Sequence, residues 1–252
     1  MEPPWGSGIS SKPTVRIILA GETKAPFDAV TLTSAGKILG EGLITAGTID
    51  LFAATGIWGT ADAGSPPTVY TAVNTTAADL SAVTASGDVY LKNVGSALVD
   101  TTGVDADGTS YTATAGGFNL VNVGDLSSGG IVATTDVTLT ANADGGAAGS
   151  IILNDVVTGD TSSGTVKLLS EQAITGEGVV TANTVDLVAG AGIWGTVDTA
   201  ASPDAYTGVN TVTRDLSAVT TSVGDVYLSN TGDVTFDTSG TDAADTSYTA
   251  TA

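Results

Sequence analysis

The chain has 252 residues and a formal net charge of −20, which comes from 7 basic and 27 acidic side chains. A chain this acidic repels nucleic acid and anionic lipid headgroups, so we expect neither as a partner. It contains no cysteine and no histidine, which excludes disulfides, zinc–thiolate sites and the commonest general base. Since no stretch approaches the ~20 apolar residues of a membrane helix, no membrane span is predicted.

The composition favours a β protein with a thin core. Charged residues make up 13% of the chain and aromatic residues 5%, whereas 42% of the residues are hydrophobic. High charge with few aromatic residues is also typical of disorder, but here the apolar residues follow an ordered pattern. Threonine and valine favour strands, and the 33 glycines supply turns between them.

The amino-terminal segment is rich in proline and glycine. Residues Met1 to Gly8 lack the basic and apolar regions of a signal peptide. We therefore interpret residues 1–13 as a linker or a cloning remnant. The ordered pattern begins after this segment.

A short apolar–polar–apolar motif recurs along the chain and predicts the strands. It reads V-x-L or a close variant, the alternation of a strand with one buried face. Several motifs lie about 19 residues apart, or about twice that, which predicts a solenoid coil of about 19–20 residues. Stacked coils would give every strand a parallel neighbour about 4.8 Å away. The residues expected to be buried are the ends of Val30–Leu32, Ile49–Leu51, Val89–Leu91, Phe118–Leu120, Val137–Leu139, Val166–Leu168, Val185–Leu187 and Val226–Leu228.

Asparagine follows three of the motif leucines by two residues, at Asn93, Asn122 and Asn230. Alternation places these side chains inside the coil, at a corner, where stacked amides form hydrogen-bonded ladders. Ordinary turn residues are the alternative. The same alternation predicts that Tyr90 and Tyr227 face outward.

A much longer repeat is superimposed on the short motif. Leu51 to Thr60 reads LFAATGIWGT and Leu187 to Thr196 reads LVAGAGIWGT, and DLSAV and GDVYL follow in both copies. The long period is roughly 136 residues. We assign residues 30–165 to the first copy and residues 166–252 to a partial second copy, both within a single β-solenoid of residues 14–252. This arrangement predicts a piece of a longer array.

The repeated pattern L-x-A-x-x-G-I-x-G-T, then proline, L-x-A-V and G-D-V-Y-L-x-N, resembles the haemagglutinin-type repeats of large bacterial surface exoproteins, the filamentous haemagglutinin type. It stands at Gly56 to Asn93 and again at Gly192 to Asn230, and the resemblance covers most of residues 30–252. The resemblance implies a right-handed parallel β-helix, export from the bacterial cell, and a role in adhesion or in extending a surface stalk.

One acidic pattern is similar to half of a calcium-binding loop. Asp105 and Asp107 precede Gly108 at alternate positions, and Asp242 and Asp245 stand at the matching place of the second copy. The remaining ligands of a calcium loop are missing. A solvated acidic turn is the preferred interpretation, with calcium as the alternative and no other cofactor expected.

Two tryptophans occupy the same repeat position. Alternation from Ile57 and Ile193 predicts that the rings of Trp58 and Trp194 point outward. Such rings either form sugar-stacking platforms or cover an inserted loop such as the Pro66–Pro67 segment. We favour the covering role.

No residue is assigned a catalytic, cofactor-binding or metal-binding role. The sequence contains no phosphate loop, dinucleotide fingerprint or Ser/His/Asp arrangement, and its carboxylates are scattered. We therefore predict a secreted, non-enzymatic protein of the bacterial cell surface, a rigid stalk that adheres to host or neighbouring cells, matrix or glycans. The alternative is a filament subunit that self-associates end to end through open strand edges. A polysaccharide-active β-helix enzyme is the third possibility.

Overall fold

The computed structural model describes residues 9–11, 16–62, 64, 68–105, 107–142, 148–222, 224–241 and 247–249. Within these residues the chain is all-β, with 33 strands and no helix. The described part of the chain therefore offers no helix of the length and apolarity that crossing a membrane requires.

The strands are short, and most have two to six residues. In the amino-terminal third they are β1 (Ile9–Ser11), β2 (Arg16–Ile18), β3 (Thr23–Ser34), β4 (Lys37–Leu39), β5 (Leu43–Ala53), β6 (Gly56–Trp58), β7 (Ala61–Asp62), β8 (Val69–Tyr70), β9 (Val73–Thr76) and β10 (Asp79–Thr84). In the middle third they are β11 (Val89–Val94), β12 (Ala97–Asp100), β13 (Gly103–Val104), β14 (Ser110–Tyr111), β15 (Phe118–Val123), β16 (Leu126–Ser128), β17 (Ile131–Val132), β18 (Val137–Asn142), β19 (Ile151–Leu153), β20 (Val157–Thr158) and β21 (Thr165–Ser170). The last are β22 (Ala173–Thr175), β23 (Val179–Thr181), β24 (Thr184–Ala189), β25 (Gly192–Trp194), β26 (Val197–Asp198), β27 (Ala205–Tyr206), β28 (Val209–Val212), β29 (Asp215–Thr220), β30 (Leu228–Asn230), β31 (Thr235–Asp237), β32 (Ser239–Thr241) and β33 (Ser247–Thr249).

Most strands stack in three columns, one for each side of the coil. The first column runs β2, β4, β6, β11, β15, β18, β21, β24, β29, β31. The second runs β1, β3, β5, β10, β12, β16, β19, β22, β25, and the third runs β17, β20, β23, β28, β30. All pairings within the columns are parallel, which confirms the predicted parallel β-solenoid.

The predicted coil length is correct only for coils without insertions. Val30 lies beneath Ile49, and Val166 lies beneath Val185, each a step of 19 residues. The step from Ile49 to Leu80 takes 31 residues, because the antiparallel hairpin β7–β8 is inserted within that coil. Backbone pairing between coils does not depend on the length of the chain that connects the strands, so insertions extend outward from an unchanged core.

The core consists of the inward residues of the V-x-L motifs. In seven of the eight motifs both expected residues are at most 5% exposed. The eighth prediction is wrong: Val226 is 36% exposed and Leu228 is only half-buried. Both residues lie in the last described coil, where β30 pairs with β28 and with no other described strand. Tyr90 and Tyr227 are half-buried on the outer surface, as alternation predicted.

The sheet also begins earlier than the sequence predicted. β1 pairs in parallel with Val30–Leu32 of β3, although we assigned residues 1–13 to a linker. Three residues are too short for a visible alternation. This strand forms where the edge of β3 offers unpaired backbone groups.

The two copies of the long repeat occupy different columns. Ile49 of the first copy lies in the second column, whereas its counterpart Val185 lies in the first column. The long period is therefore not a whole number of coils. Equivalent residues in the two copies are turned by one side about the solenoid axis.

Asn93 and Asn122 form a stacked pair at one corner of the coil, which confirms the predicted ladder for these two residues. Asn230 is only half-buried, and the hydrogen bonds described for it go to Thr211, Thr213 and Gly232. Asn93 Nδ2 donates a hydrogen bond to Asn122 Oδ1 at 2.9 Å, and both side chains are fully buried. Asn93 Oδ1 accepts hydrogen bonds from Thr75 Oγ1 at 3.0 Å and from the backbone amide of Ala77 at 2.9 Å. Asn230 accepts the equivalent two hydrogen bonds in the second copy. The ladder therefore satisfies buried backbone groups as well as linking coils.

We expect Leu139→Ala to lower the free energy of unfolding by about 2–5 kcal/mol, because it opens a cavity in a column of fully packed leucines. Leu139 is fully buried between Leu120 and Leu168 of the adjacent coils. The matched control is Thr138→Ala on the outer face, with an expected change within about 0.5 kcal/mol. Urea denaturation measures both. A larger loss at Thr138 than at Leu139 would show that the strand register is inverted.

We expect Asn93→Ala to cost about 1–3 kcal/mol of unfolding free energy, because it leaves the amide of Ala77 and Oδ1 of Asn122 without these partners inside the core. Asn119→Ala, on the outer face of β15, is the control and should change stability little. Equal effects of the two substitutions would contradict the structural role of the ladder.

Candidate ligand-binding patches

A row of three aromatic side chains lies on the outer surface of the first copy. The ring centroids of Trp58 in β6 and Tyr70 in β8 are 5.1 Å apart. The rings of Tyr70 and Tyr90 stack at 4.8 Å with 27° between their planes. Tyr70 reaches Tyr90 from the inserted antiparallel hairpin β7–β8, so the hairpin brings the two rings together. We call these three residues the first aromatic row.

The second copy carries the same arrangement, which we call the second aromatic row. The rings of Trp194 and Tyr206 meet edge to face at 5.9 Å, and those of Tyr206 and Tyr227 stack at 4.9 Å with 12° between their planes. Tyr206 is 37% exposed, and the other two side chains are half-buried. Each row therefore presents aromatic surface to solvent.

Glycine sets the direction of each tryptophan ring. The ring of Trp58 lies so close to Gly56 that a Cβ atom on this glycine would clash with it, and Gly192 stands in the same relation to Trp194. Gly56 also has a φ angle of +139°, a conformation that side chains rarely allow. The G-I-W sequence in each copy thus lets the ring fold back over the backbone.

A shelf of polar groups borders the first aromatic row. Thr71 Oγ1 donates a hydrogen bond to Glu41 Oε1 at 2.9 Å and accepts one from the backbone amide of Thr60 at 2.7 Å. Asn74 Nδ2 donates to the backbone oxygen of Glu41 at 3.0 Å. The shelf holds a carboxylate, two hydroxyls and an amide, and Thr71 follows Tyr70 directly in the chain.

The second copy repeats the backbone and hydroxyl parts of this shelf. Thr207 Oγ1 accepts a hydrogen bond from the backbone amide of Thr196 at 2.6 Å, and Asn210 Nδ2 donates to the backbone oxygen of Glu177 at 3.4 Å. Glu177, Thr207, Asn210 and Ser229 line a groove of about 490 Å³. Clefts of this size hold small ligands.

The two rows differ in charge. Lys37 Nζ lies 4.9 Å from the centroid of the Trp58 ring, within the range of a cation–π contact. Lys37 stacks beneath Gly56, and Ala173 occupies the same position beneath Gly192 in the second copy. The first row therefore has the positive charge of Lys37 beside it, whereas the second row has the uncharged Ala173 at the same position.

The two rows lie on adjacent sides of the solenoid. Trp58 belongs to the first column and Trp194 to the second. Along the first column, five coil steps lead from Ile57 to Val185, the strand that precedes Trp194. At about 4.8 Å a step, the rows are roughly 25 Å apart along the axis.

Both tryptophan rings lie on the outer surface and contact an inserted hairpin. Ile57 and Ile193 are fully buried, and Trp58 and Trp194 lie outside the core, as alternation predicted. Each tryptophan packs on a tyrosine of an inserted hairpin, so the ring covers part of that hairpin, and the rest of the half-buried ring faces solvent. The Pro66–Pro67 segment lies outside the described residues.

The sequence pattern did not predict that Tyr70 and Tyr206 belong to the rows. A signal was present, because tyrosine follows tryptophan by twelve residues in both copies. The tyrosines come back to the tryptophans through the antiparallel hairpins β7–β8 and β26–β27. Hairpins inserted within a coil do not follow the coil period, so periodicity could not place them.

The Asp105 carboxylate lies in a hydrogen-bonded acidic turn. Three groups of the same turn donate hydrogen bonds to it: Asp107 N at 2.9 Å, Thr109 N at 2.8 Å and Tyr111 Oη at 3.2 Å. In the part of the chain that the structure describes, no group of three or more acidic side chains is arranged to hold a metal ion. Asp242 and Asp245 lie outside the described residues, so the solvated turn stays the prediction there and calcium binding the alternative.

Comparisons with known proteins identify no relative. No family model, no curated protein and no solved structure matches this chain.

We expect Asp105 to titrate below the ordinary range of aspartate, because the amide of Thr109, followed by that of Asp107 and the Tyr111 hydroxyl, lowers its pKa. Burial raises the pKa of Asp50, which should therefore protonate first on acidification. The bonds to Asp105 stabilise the fold above the unfolded pKa of about 3.9, and this stabilisation is lost as the pH falls through the lower folded pKa.

Carboxyl ¹³C chemical shifts measured against pH test this order. Tyr111→Phe should raise the pKa of Asp105 because one donor to the carboxylate is removed. Protonation of Asp105 before Asp50 would contradict the turn geometry. A saturable shift of the Asp105 carboxyl signal on addition of calcium would establish the calcium site instead.

Proposed function

We propose that the protein is a secreted, rigid adhesive stalk of the bacterial cell surface, and that its two aromatic rows bind glycans. The observation that carries the proposal is the repetition of one surface arrangement on two sides of the solenoid: three aromatic rings, a pair of threonine hydroxyls and an asparagine amide. Ring faces pack against the apolar faces of sugars, and the polar groups fix their hydroxyls.

Duplication supports adhesion more than catalysis. Two linked sites of low individual affinity raise the overall avidity for a dense surface, without any strong single site. An enzyme needs one well-built site. We accordingly propose that the protein is not an enzyme. A longer array of the same repeat would add binding contacts and lengthen the stalk.

The solenoid suits a stalk because its coils hold the rows in place. Each strand of the three columns is tied to its neighbours by parallel backbone pairing. The two rows therefore keep a separation of roughly 25 Å and cannot collapse onto each other. The net charge of −20 makes neutral glycans better partners than anionic surfaces.

A subunit of an extracellular filament is the second candidate. Parallel strands with unpaired edges can pair with the strands of another solenoid, so a chain of this fold can be extended into a filament by strand pairing between subunits.

Glycan binding by row variants tests the leading proposal. Tyr206→Ala and Tyr227→Ala together remove the second row, and Trp58→Ala and Tyr90→Ala remove the first. We expect loss of either row to reduce the apparent affinity for densely immobilised neutral glycans by about 10²-fold, because two-site binding becomes one-site binding. A single soluble oligosaccharide should still bind the remaining row with unchanged affinity.

Thr138→Ala, on the outer face two coils beyond Tyr90, is the control and should bind as the parent chain does. Circular dichroism establishes that each variant is folded. Undiminished binding after removal of both rows would overturn the glycan role. Release of reducing ends from a polysaccharide would promote the enzyme, and continuous fibres in electron micrographs would promote the filament subunit.

A further inference from the structure

A second kind of hairpin folds over the outside of the first copy. β13 and β14 pair antiparallel, and the ring of Tyr111 at the end of β14 lies 5.0 Å from the ring of Phe52 in β5. Gly103 presses on the side chain of Val83 in β10, so closely that a Cβ atom at this glycine would clash. The hairpin therefore rests on β10 and on part of β5, and a groove opens between it and β3.

The groove has a volume of about 470 Å³ and a floor of hydroxyl groups. Thr31 and Thr33 of β3 contribute these hydroxyls, and Tyr111 forms part of the wall. Ser81 of β10 also lines the groove, but it is buried and its hydroxyl donates a hydrogen bond to Asp100 Oδ1 at 2.7 Å. The volume is within the range of small-ligand pockets and suits one or two sugar rings. This lining has polar groups for hydrogen bonds and an aromatic ring for packing.

Asp50 supplies a carboxylate to the same groove. Its Oδ2 accepts a hydrogen bond from Thr31 Oγ1 at 3.2 Å. Burial raises its pKa, and the nearby carboxylates of Asp79 and Asp100 raise it further. A half-buried carboxylate among other carboxylates repels anions and accepts hydrogen bonds from neutral hydroxyl groups.

The second copy shows the same architecture with the space filled. Leu169 and Val188 stand where Thr33 and Phe52 stand in the first copy. These two side chains and Val219 form a small buried cluster outside the main core.

A hairpin covers this cluster as well. Gly240 of β32 presses on Val219 and Val188, as Gly103 presses on Val83 in the first copy. The hairpin therefore does not require an open groove beneath it, and the groove of the first copy is a difference between otherwise equivalent places.

The charge beside the carboxylate also differs between the two copies. Lys167 occupies the position of Thr31 and faces Asp186, the counterpart of Asp50. Burial raises the pKa of Asp186, and the charge of Lys167 opposes part of this rise. In the second copy the carboxylate has a cationic neighbour, whereas in the first copy it faces hydroxyl groups.

We propose that the groove beneath hairpin β13–β14 is a binding site for one neutral sugar residue of a glycan. Asp50 accepts hydrogen bonds from the sugar hydroxyls, Thr33 completes the polar contacts, and the Tyr111 ring packs along the apolar face. This site is separate from the aromatic rows and occurs once in the described residues. It rests on a different observation, the contrast between the two copies.

The second copy supplies the test variant. The combined substitutions Thr31→Lys, Thr33→Leu and Phe52→Val place the residues of the second copy in the groove of the first. In the second copy the same three residue types already stand beneath a matching hairpin, so the variant is expected to fold. The probes are neutral monosaccharides and disaccharides at millimolar concentrations, with the corresponding uronic acids. Amide chemical shifts in ¹⁵N-labelled protein report binding, and the melting curve reports folding.

We expect at least one neutral sugar to shift the amides of β3, β5 and the hairpin saturably. The triple variant and Asp50→Asn should each weaken this binding about tenfold or more. The triple variant removes the threonine hydroxyls and fills the groove, and Asp50→Asn replaces a charged acceptor by a neutral amide. Tyr206→Ala should leave it unchanged, which separates this site from the aromatic rows.

Three results would overturn the proposal: no sugar shifts the groove amides, the folded triple variant binds as well as the parent chain, or a uronic acid binds more tightly than its neutral counterpart. None of these results bears on the aromatic rows. Failure of the stalk proposal likewise leaves the groove measurement intact.

Discussion

The parallel pairing of each strand with the strand of the next coil is the interaction on which the rest of this structure depends. A single coil has a few apolar side chains and cannot bury them alone. Stacked coils place like residues above one another, so Val137, Val166 and Val185 form one fully buried column. The stack also offers an outer surface on which Tyr90 and Tyr227 each stack with a tyrosine of an inserted hairpin, at 4.8 and 4.9 Å.

Because the coils are held by backbone pairing and a narrow core, the chain can leave the coil and return without disturbing the stack. Hairpins β7–β8 and β26–β27 do this, and each returns a tyrosine to the outer surface beside a tryptophan. Hairpin β13–β14 instead bends over the neighbouring strands and leaves a groove. The candidate binding surfaces are thus products of insertions, while the core remains that of a plain solenoid.

A long repeat that does not contain a whole number of coils changes how the duplicated surfaces are displayed. The aromatic rows share their residues, yet they lie on adjacent sides of the solenoid, since Trp58 is in the first column and Trp194 in the second. The grooves have diverged further: Thr33 borders open space, and Leu169 at the equivalent place is buried. The aromatic row is thus present in both copies, whereas the open groove is present in the first copy and is filled by larger apolar side chains in the second.

The sequence by itself determined the strands, their inward residues and the asparagine corner. Leu120 and Asn93 could be placed in the interior from alternation alone, because strand alternation and coil period are local properties that every coil repeats. Only the tertiary structure decided that Tyr70 stacks between Trp58 and Tyr90, that the two copies face different sides, and that Val226 is exposed. Those outcomes depend on the lengths of insertions and on which strand covers which, and neither is encoded in the period of a single strand.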